Sequence, residues 1–463
     1  MGRPLVMATR PPFPPGPGPL ATLEFIVNTA RVDGFGKFIT FFLDLAALGP
    51  ISSWRIGRRR LYFLNDPALI EEALVTRGRD YVKSRGIKRL RRLLGDGLLS
   101  SEDPLHLHQR RMMQPAFHRE RIAKYGAAMV RATQDQSSAW HAGEAFEMDA
   151  AMVRLTLGIA AETLFTTDVA AESDDVRAAL TEAMRSFPAS MTPYGELLDH
   201  LPFYPTTRHF TAGRARLDAV VYGMIAARRA SADPGDDLLG MLLGARDDDG
   251  APMSDEQIRD EAMTIFLAGH ETTANALAWT WLLLAEHPAS EARLHDELAR
   301  VLGDRPPAAG DVAALGYTRD VVAEAMRLYP PAWVIGRRAT RETTLGTWTI
   351  PAGSIVIASQ YVMHRDPALW VDPLVFRPER WAAEARALPK FAYFPFGGGS
   401  RVCIGESFAW MEAVLILATI AQRWRFERVD HDPIPLDPLV TLRPKRPIRL
   451  RPVPQTRPAL LAG

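Results

Sequence analysis

Phe396-Gly397-Gly398-Gly399-Ser400-Arg401-Val402-Cys403-Ile404-Gly405 contains the single cysteine of a 463-residue chain. Three glycines and a serine come before it, and an apolar helical pattern follows. A cysteine that opens a helix has backbone N–H groups aimed at its sulfur and the positive end of the helix dipole behind it. Both effects favour thiolate, the form that binds metal or attacks an electrophile. The glycines let backbone lie against something flat or bulky, where a Cβ would collide. Arg401, two residues before the sulfur, is placed to neutralise an anion beside it. Taken alone, the stretch also fits a glycine-rich turn with a small buried cysteine.

The full pattern Phe-x-x-Gly-x-Arg-x-Cys-x-Gly is far rarer than its parts. It resembles the haem-binding loop of the cytochromes P-450, the haem-thiolate monooxygenases. The totals are compatible with that resemblance. The chain is 47% hydrophobic with a net charge of +1, enough for a large core, and nothing global points to nucleic acid or an anionic membrane. One cysteine excludes an internal disulfide framework and an iron–sulfur cluster held by four cysteines of this chain, and it fits a reducing compartment. The N-terminus shows no signal-peptide pattern. Its run Arg10-Pro11-Pro12-Phe13-Pro14-Pro15-Gly16-Pro17-Gly18-Pro19 reads as a stiff extended arm over residues 1–20. The most apolar stretches fall short of the roughly 18 residues a spanning helix needs. The expectation is a cytoplasmic protein without a transmembrane anchor, with residues 21–463 forming one domain.

Working outward, residues 21–48 read as largely helical, and Ser52–Ile56 and Arg60–Leu64 as strands. Asp66-Pro67 opens a helix over 68–77, residues 82–104 look irregular, and 124–230 read as amphipathic helices broken near 187–188 and 201–205. The pieces Thr347–Ile350 and Ser354–Ala358 look like a hairpin through Pro351-Ala352-Gly353, and the helix after Cys403 is expected to run to about Arg425. The fold class is mainly α with a small β region. His106 and Arg110 fall four residues apart, so on a helix an imidazole and a guanidinium share a face and could hold a carboxylate or phosphate.

Ser254-Asp255-Glu256-Gln257 has capping-box spacing, and the helical pattern runs on to His287 before Pro288 stops it. About 34 residues at 1.5 Å each give roughly 50 Å, enough to cross a large domain. Its middle is apolar except for Ala268-Gly269-His270-Glu271-Thr272-Thr273. Glycine inside a helix costs about 1 kcal/mol against alanine, and a buried carboxylate costs more unless paired. The Thr272 hydroxyl can reach the Ala268 carbonyl and loosen the helix there. Glu324-Ala325-Met326-Arg327 pairs opposite charges on one helix face, and Arg380 lies in a Pro-rich segment, Phe376–Trp381.

The resemblance covers about residues 50–450 and assigns roles to these positions. It implies a P-450 fold with haem b between the long helix and the cysteine loop, and Cys403 as axial iron ligand. Phe396 is implied to shield the sulfur, and Gly405 belongs to the same loop. His106, Arg110, Arg337 and Arg401 are implied to neutralise the haem propionates, and Ala268 to line the distal face. Thr272 would hydrogen-bond dioxygen, and Glu271 would feed protons for O–O cleavage. Glu324, Arg327 and Arg380 are implied to be a structural lock with no chemistry. His364 reads as a structural histidine. Residues near 82–104, 187–210, 266–268, 332–335 and 440–442 are expected to line a mostly apolar pocket. The expected reaction is insertion of one oxygen atom of O2 into a lipophilic substrate. Electrons would come from a ferredoxin-type donor with its reductase, docked on basic residues such as Arg111, Arg119, Arg121 and Lys124. A monomer is expected. A peroxygenase, which Glu271-Thr272 argues against, and a non-catalytic haem-thiolate ligand-binding protein are the alternatives.

Overall fold

The computed structural model describes residues 13–29, 36–166, 179, 205–231, 235, 237–246 and 250–455. The expected breaks at 187–188 and 201–204 lie outside these residues. The chain begins with helices α1 (Pro19–Thr29) and α2 (Gly36–Ala46), then strands β1 (Ile51–Ile56) and β2 (Arg59–Leu64). Asp66 caps α3 (Pro67–Glu71) by accepting the Leu69 N–H, and the helix continues as a π-helical turn over Glu72–Thr76. Strand β3 (Tyr81–Lys83) and helices α4 (Arg85–Leu94), α5 (Leu105–Met113) and α6 (Arg119–Ser138) follow. After β4 (Phe146–Glu147) come α7 (Met148–Phe165), α8 (Pro205–Ala230), α9 (Leu238–Gly244) and the long helix α10 (Asp255–Glu286). Next are α11 (Pro288–Leu302), α12 (Gly316–Leu328), strands β5 (Ile335–Ala339), β6 (Thr343–Leu345), β7 (Trp348–Ile350) and β8 (Ile355–Ala358), and the short α13 (Gln360–Met363). The chain closes with α14 (Glu406–Ala421), β9 (Trp424–Arg428), β10 (Leu436–Pro438), β11 (Leu442–Pro444) and β12 (Arg449–Pro454).

A five-stranded sheet in the order β1-β2-β8-β5-β3 carries the small β region, with β2 parallel to β8 and the other pairs antiparallel. The proline arm lies along its edge, where Ser53 donates its N–H to the Pro15 carbonyl at 2.8 Å and its hydroxyl to the Pro14 carbonyl at 3.1 Å. The larger core is helical, and α10 runs through it. Its 32 residues span about 48 Å, and Trp279, Trp281 and most of its neighbours are buried whichever way they point. A helix apolar on all sides belongs at the centre of a large core. Ser254 caps it by accepting the Gln257 N–H at 3.2 Å.

Three expectations need correction. Residues 85–94 are not irregular: Leu90, Leu93 and Leu94 are buried along one side of α4 while Lys88 and Arg91 face solvent, and Gly86 obscured that pattern. The expected hairpin does not form. β7 pairs with β6, and β8 turns away at Gly353 (φ +80°) to pair with β2 and β5. Helix α14 stops at Ala421, because Trp424 starts β9, which pairs with β12.

Glu324, Arg327 and Arg380 meet in a fully interior network. Arg327 donates to both Glu324 oxygens at 2.9 and 2.8 Å, and Arg380 Nε and the Trp381 indole donate to them at 2.9 and 3.0 Å. The remaining guanidinium donors reach the carbonyls of His364, Val371, Asp372, Pro373 and Val375. Removing the carboxylate leaves two uncompensated buried charges. Glu324→Ala is therefore expected to destabilise the fold by about 3–5 kcal/mol, read as a lower midpoint in urea unfolding. A loss below 1 kcal/mol would mean that the trio is not the anchor its burial suggests.

Candidate active site

The cysteine loop is shaped by its own backbone before any ligand is considered. The Cys403 N–H donates to the Phe396 carbonyl at 3.0 Å and the Val402 N–H to the Gly399 carbonyl at 3.2 Å. Gly399 sits at φ +72°, and a Cβ there would come within 2.0 Å of the Leu74 carbonyl oxygen, so no other residue fits. Arg110, on α5, reaches across and donates to the Val402 carbonyl at 2.7 Å. The Phe396 ring packs 5.9 Å from Trp410.

Cys403 is accessible to solvent on one side and crowded by protein on the other. That crowding pushes the thiol above its ordinary value, as does Glu406, and the Gly405 N–H and Arg110 only partly offset it. The sequence pattern favours thiolate, but burial is the largest influence on this thiol and acts the other way. A cation bound at the sulfur would reverse the balance, since a coordinating thiol loses its proton.

The basic residues expected beside the loop differ in state. Arg337 on β5 is buried, and its one hydrogen bond is to the Gly336 carbonyl at 3.1 Å. No carboxylate pairs with it among the described residues, and burial followed by repulsion from Arg401 lowers it to about 10. Arg401 is already paired with Glu102 at 2.7 Å. His106 is buried beside Asp103 at 3.3 Å, and burial together with the nearby Lys83 charge lowers it to about 4, so at neutral pH it offers a hydrogen bond and no charge. His106 and Arg110 share α5, but the first bonds Asp103 and the second the loop carbonyl.

On α10 the polar interruption lies within an unbroken helix. Ala268 is exposed and Gly269 and Thr272 are partly so, whereas the surrounding turns are buried. Thr272 donates to the Ala268 carbonyl at 2.9 Å and Thr273 to that of Gly269 at 3.4 Å, while Thr156 of α7 donates to His270 at 2.9 Å. The helix is therefore decorated rather than opened. Glu271 is buried and makes an ion pair that the sequence does not announce. Arg443 of β11 donates to it from Nε at 2.8 Å and from Nη2, and Thr441 donates its hydroxyl to the same oxygen. Burial pushes this carboxyl up, but the Arg443 charge and the hydrogen bonds outweigh it and hold Glu271 below its ordinary value.

Sequence reasoning missed Arg443, Thr441, Lys83 and Glu412. The first two lie 170 or more positions from Glu271 in a Pro/Arg-rich tail and carry no local signal. Lys83 is buried and donates to the carbonyls of Leu98 and Ser101 at 2.8 and 2.6 Å. Glu412 did have a signal, being the one acid within the apolar run of α14 after its first residue. Burial raises it to about 8, relieved only by the Thr273 hydroxyl of α10, so it is uncharged at neutral pH. It marks where the helix after the cysteine packs on α10.

Among the described residues no group of three His, Cys, Asp or Glu side chains converges on a point that could hold a metal. A metal at Cys403 must bring its other ligands with it. Among the described residues, too, no helix is long and apolar enough to cross a membrane.

The chain matches the family model described as Cytochrome P450 over residues 14–451. It is 41% identical over 428 residues to cyclooctatin synthase of Streptomyces melanosporofaciens, covering 90% of this chain and 92% of that one. It is 38% identical to cyclooctat-9-en-7-ol 5-monooxygenase of the same organism, covering 84% and 85%, and 33% identical to pentalenene oxygenase of Streptomyces avermitilis, covering 89% and 92%. Fold and matches together define a haem-iron oxidoreductase that works as a monooxygenase. The chain belongs to the cytochrome P450 family. Such an enzyme binds a lipophilic substrate and takes its electrons from a redox partner.

The Glu271–Arg443 pair has a pH signature. A carboxyl whose folded value is depressed contributes stability above its ordinary value of 4.5, and that contribution is lost as pH falls through the depressed value. Arg443→Gln should lower stability at pH 7 by about 3 kcal/mol and flatten the acid limb of the stability–pH curve. If the mutant keeps the parent's acid limb, some other carboxylate produces it.

Proposed function

We propose that this chain is a haem b monooxygenase that hydroxylates or epoxidises a terpenoid-type hydrocarbon or alcohol. The observation carrying this reading is the pair of accessible residues Ala268 and Thr272 on an otherwise buried stretch of α10, beside an ionised Glu271. Two relatives support the substrate class by name, one for a hydroxylated olefin and one for pentalenene. Residues 82–104, 205–210, 266–268, 332–335 and 440–442 are the described parts of the segments expected to line the pocket.

The residues fit a haem. An accessible thiol is available as the lone protein ligand. The buried guanidinium of Arg337, unpaired with any described carboxylate, suits an anionic rim. When bound, the haem supplies dioxygen binding and reductive O–O cleavage. Cys403 would ligate the iron and donate electron density to it, with Phe396 screening the sulfur and the Gly405 N–H pointing at it. Arg110, Arg337 and Arg401 would neutralise the propionates, and His106 would add a hydrogen bond. Ala268 leaves room above the ring. Thr272 would hold a proton at Oγ1. A proton arriving at Glu271 cancels its charge, weakens the Arg443 pair and frees the acid to pass that proton towards Thr272. Glu324, Arg327 and Arg380 act only on the fold.

Product formed per electron consumed tests this. Thr272→Ala should lower it severalfold with the fold intact, and unchanged coupling would remove the role given to Thr272. In the same series, Cys403→Ala should abolish the red-shifted Soret band of the reduced carbon monoxide complex.

The electron donor is a ferredoxin-type protein with its reductase, and the enzyme acts as a cytoplasmic monomer. Arg111, Arg119 and Lys124 are exposed on α5 and α6, on the side of the molecule that supplies Arg110 to the cysteine loop. Reversing Lys124 and Arg119 to Glu should slow reduction by an acidic ferredoxin while the haem spectrum stays unchanged. Equal reduction rates would place docking elsewhere.

A further inference from the structure

A groove of about 1090 Å³ lies between one end of the five-stranded sheet and α4, and none of the residues given a role at the cysteine loop, on α10 or in the buried lock lines it. Strand register explains its composition. Arg55 of β1 stands opposite Arg60 of β2, Leu61 is level with Ile355 of β8, and Ile355 is opposite Arg338 of β5. Arg55 and Arg60 thus share one face near the end of the sheet, while Arg338, level with Leu61 and Ile355, projects from the other, and the groove wraps that end. Arg58 and Arg59 extend it at the β1–β2 turn, and Lys88, Arg89 and Arg92 of α4 form the facing wall. The proline arm closes one side, with the Phe13 ring 3.3 Å from the Arg60 guanidinium.

Eight of the 14 lining residues are Arg or Lys and none is acidic, although the whole chain carries a net charge of only +1. Overall composition does not account for that concentration. Among the described residues no carboxylate lies within ion-pair distance of Arg55, Arg58, Arg59, Arg60, Lys88 or Arg338. Like charges directly opposite on antiparallel strands are destabilising, and a local rule broken at this cost points to a use. A concave cluster of one sign focuses its field and raises the local concentration of the opposite ion. Guanidinium forks match phosphate oxygens two at a time. The volume suits an organic ligand rather than a flat surface. Neither Arg337 nor any residue of the cysteine loop lines this groove.

We infer that this groove binds a ligand carrying at least two phosphate groups, either a soluble organic diphosphate or a phosphorylated lipid headgroup. The test uses the haem-loaded full chain at about 0.15 M salt, where long-range attraction is screened. Titration calorimetry should show inorganic pyrophosphate binding about tenfold or more tighter than orthophosphate. Arg58→Glu with Arg59→Glu should weaken pyrophosphate by a similar factor without altering the reduced carbon monoxide spectrum. Lys88→Glu, on the other wall, should weaken it severalfold and covers the case in which the double variant misfolds. Flotation with cardiolipin vesicles, whose headgroup carries two phosphates, against phosphatidylcholine, separates the sources. Binding that pyrophosphate displaces identifies a headgroup, and no flotation identifies a soluble diphosphate. The inference fails if pyrophosphate binds no tighter than orthophosphate, if both variants bind as the parent does, or if vesicle binding resists pyrophosphate.

Discussion

The Glu324 carboxyl group is fully buried and held by two guanidinium groups and an indole. Taking such ions out of water costs several kcal/mol each, repaid only when nearly every donor and lone pair is used. Here they are, and the partners are chosen from separate parts of the chain. Arg327 also bonds the His364 carbonyl, and the His364 ring accepts the Phe394 N–H at Nε2. Phe394 in turn accepts the Gly397 N–H, and Phe396 accepts that of Cys403. Hydrogen bonds, joined by the Phe396–Gly397 peptide link, thus lead from the lock to the cysteine. The trio is thereby tied to the backbone that carries the sulfur.

The opposite side of the site is fixed by a second charge buried at a distance. Glu271 is tied by Arg443 and Thr441 to β11, and Asn275 one turn further along α10 donates to Thr441 at 3.3 Å. The acid beside Thr272 is therefore held by the C-terminal strand and not by its own helix. A shift of that strand would change the charge environment of Glu271.

Features that depend on neighbours in sequence were legible before the structure. The glycine loop and the polar stretch 268–273 each break a local rule within a few residues, and the Glu324–Arg327 spacing announces an ion pair by itself. Features that depend on partners far along the chain were not. Nothing in Thr441 or Arg443 forecasts a contact with Glu271, and the alternating pattern of β8 does not say whether it pairs with β7 or with β2. The thiol misled for a third reason. A helix terminus is visible in sequence, but the desolvation that opposes it is set by everything packed around it.

That opposition carries the last step. Left to the protein, Cys403 keeps its proton, while Lys83, Arg337 and Arg401 crowd their positive charges near one another. Burial, chiefly, brings Lys83 down to about 7, with Arg401 and Arg337 pressing the same way and Glu102 opposing. Each half is unfavourable alone: a nucleophile in its poorly ligating form, and cations short of counter-ions. A guest with a cation at its centre and carboxylates at its rim resolves both, drawing the proton from the sulfur and answering the guanidinium groups. An iron porphyrin with carboxylate side chains has that charge pattern and would supply the electrostatic complement to these groups.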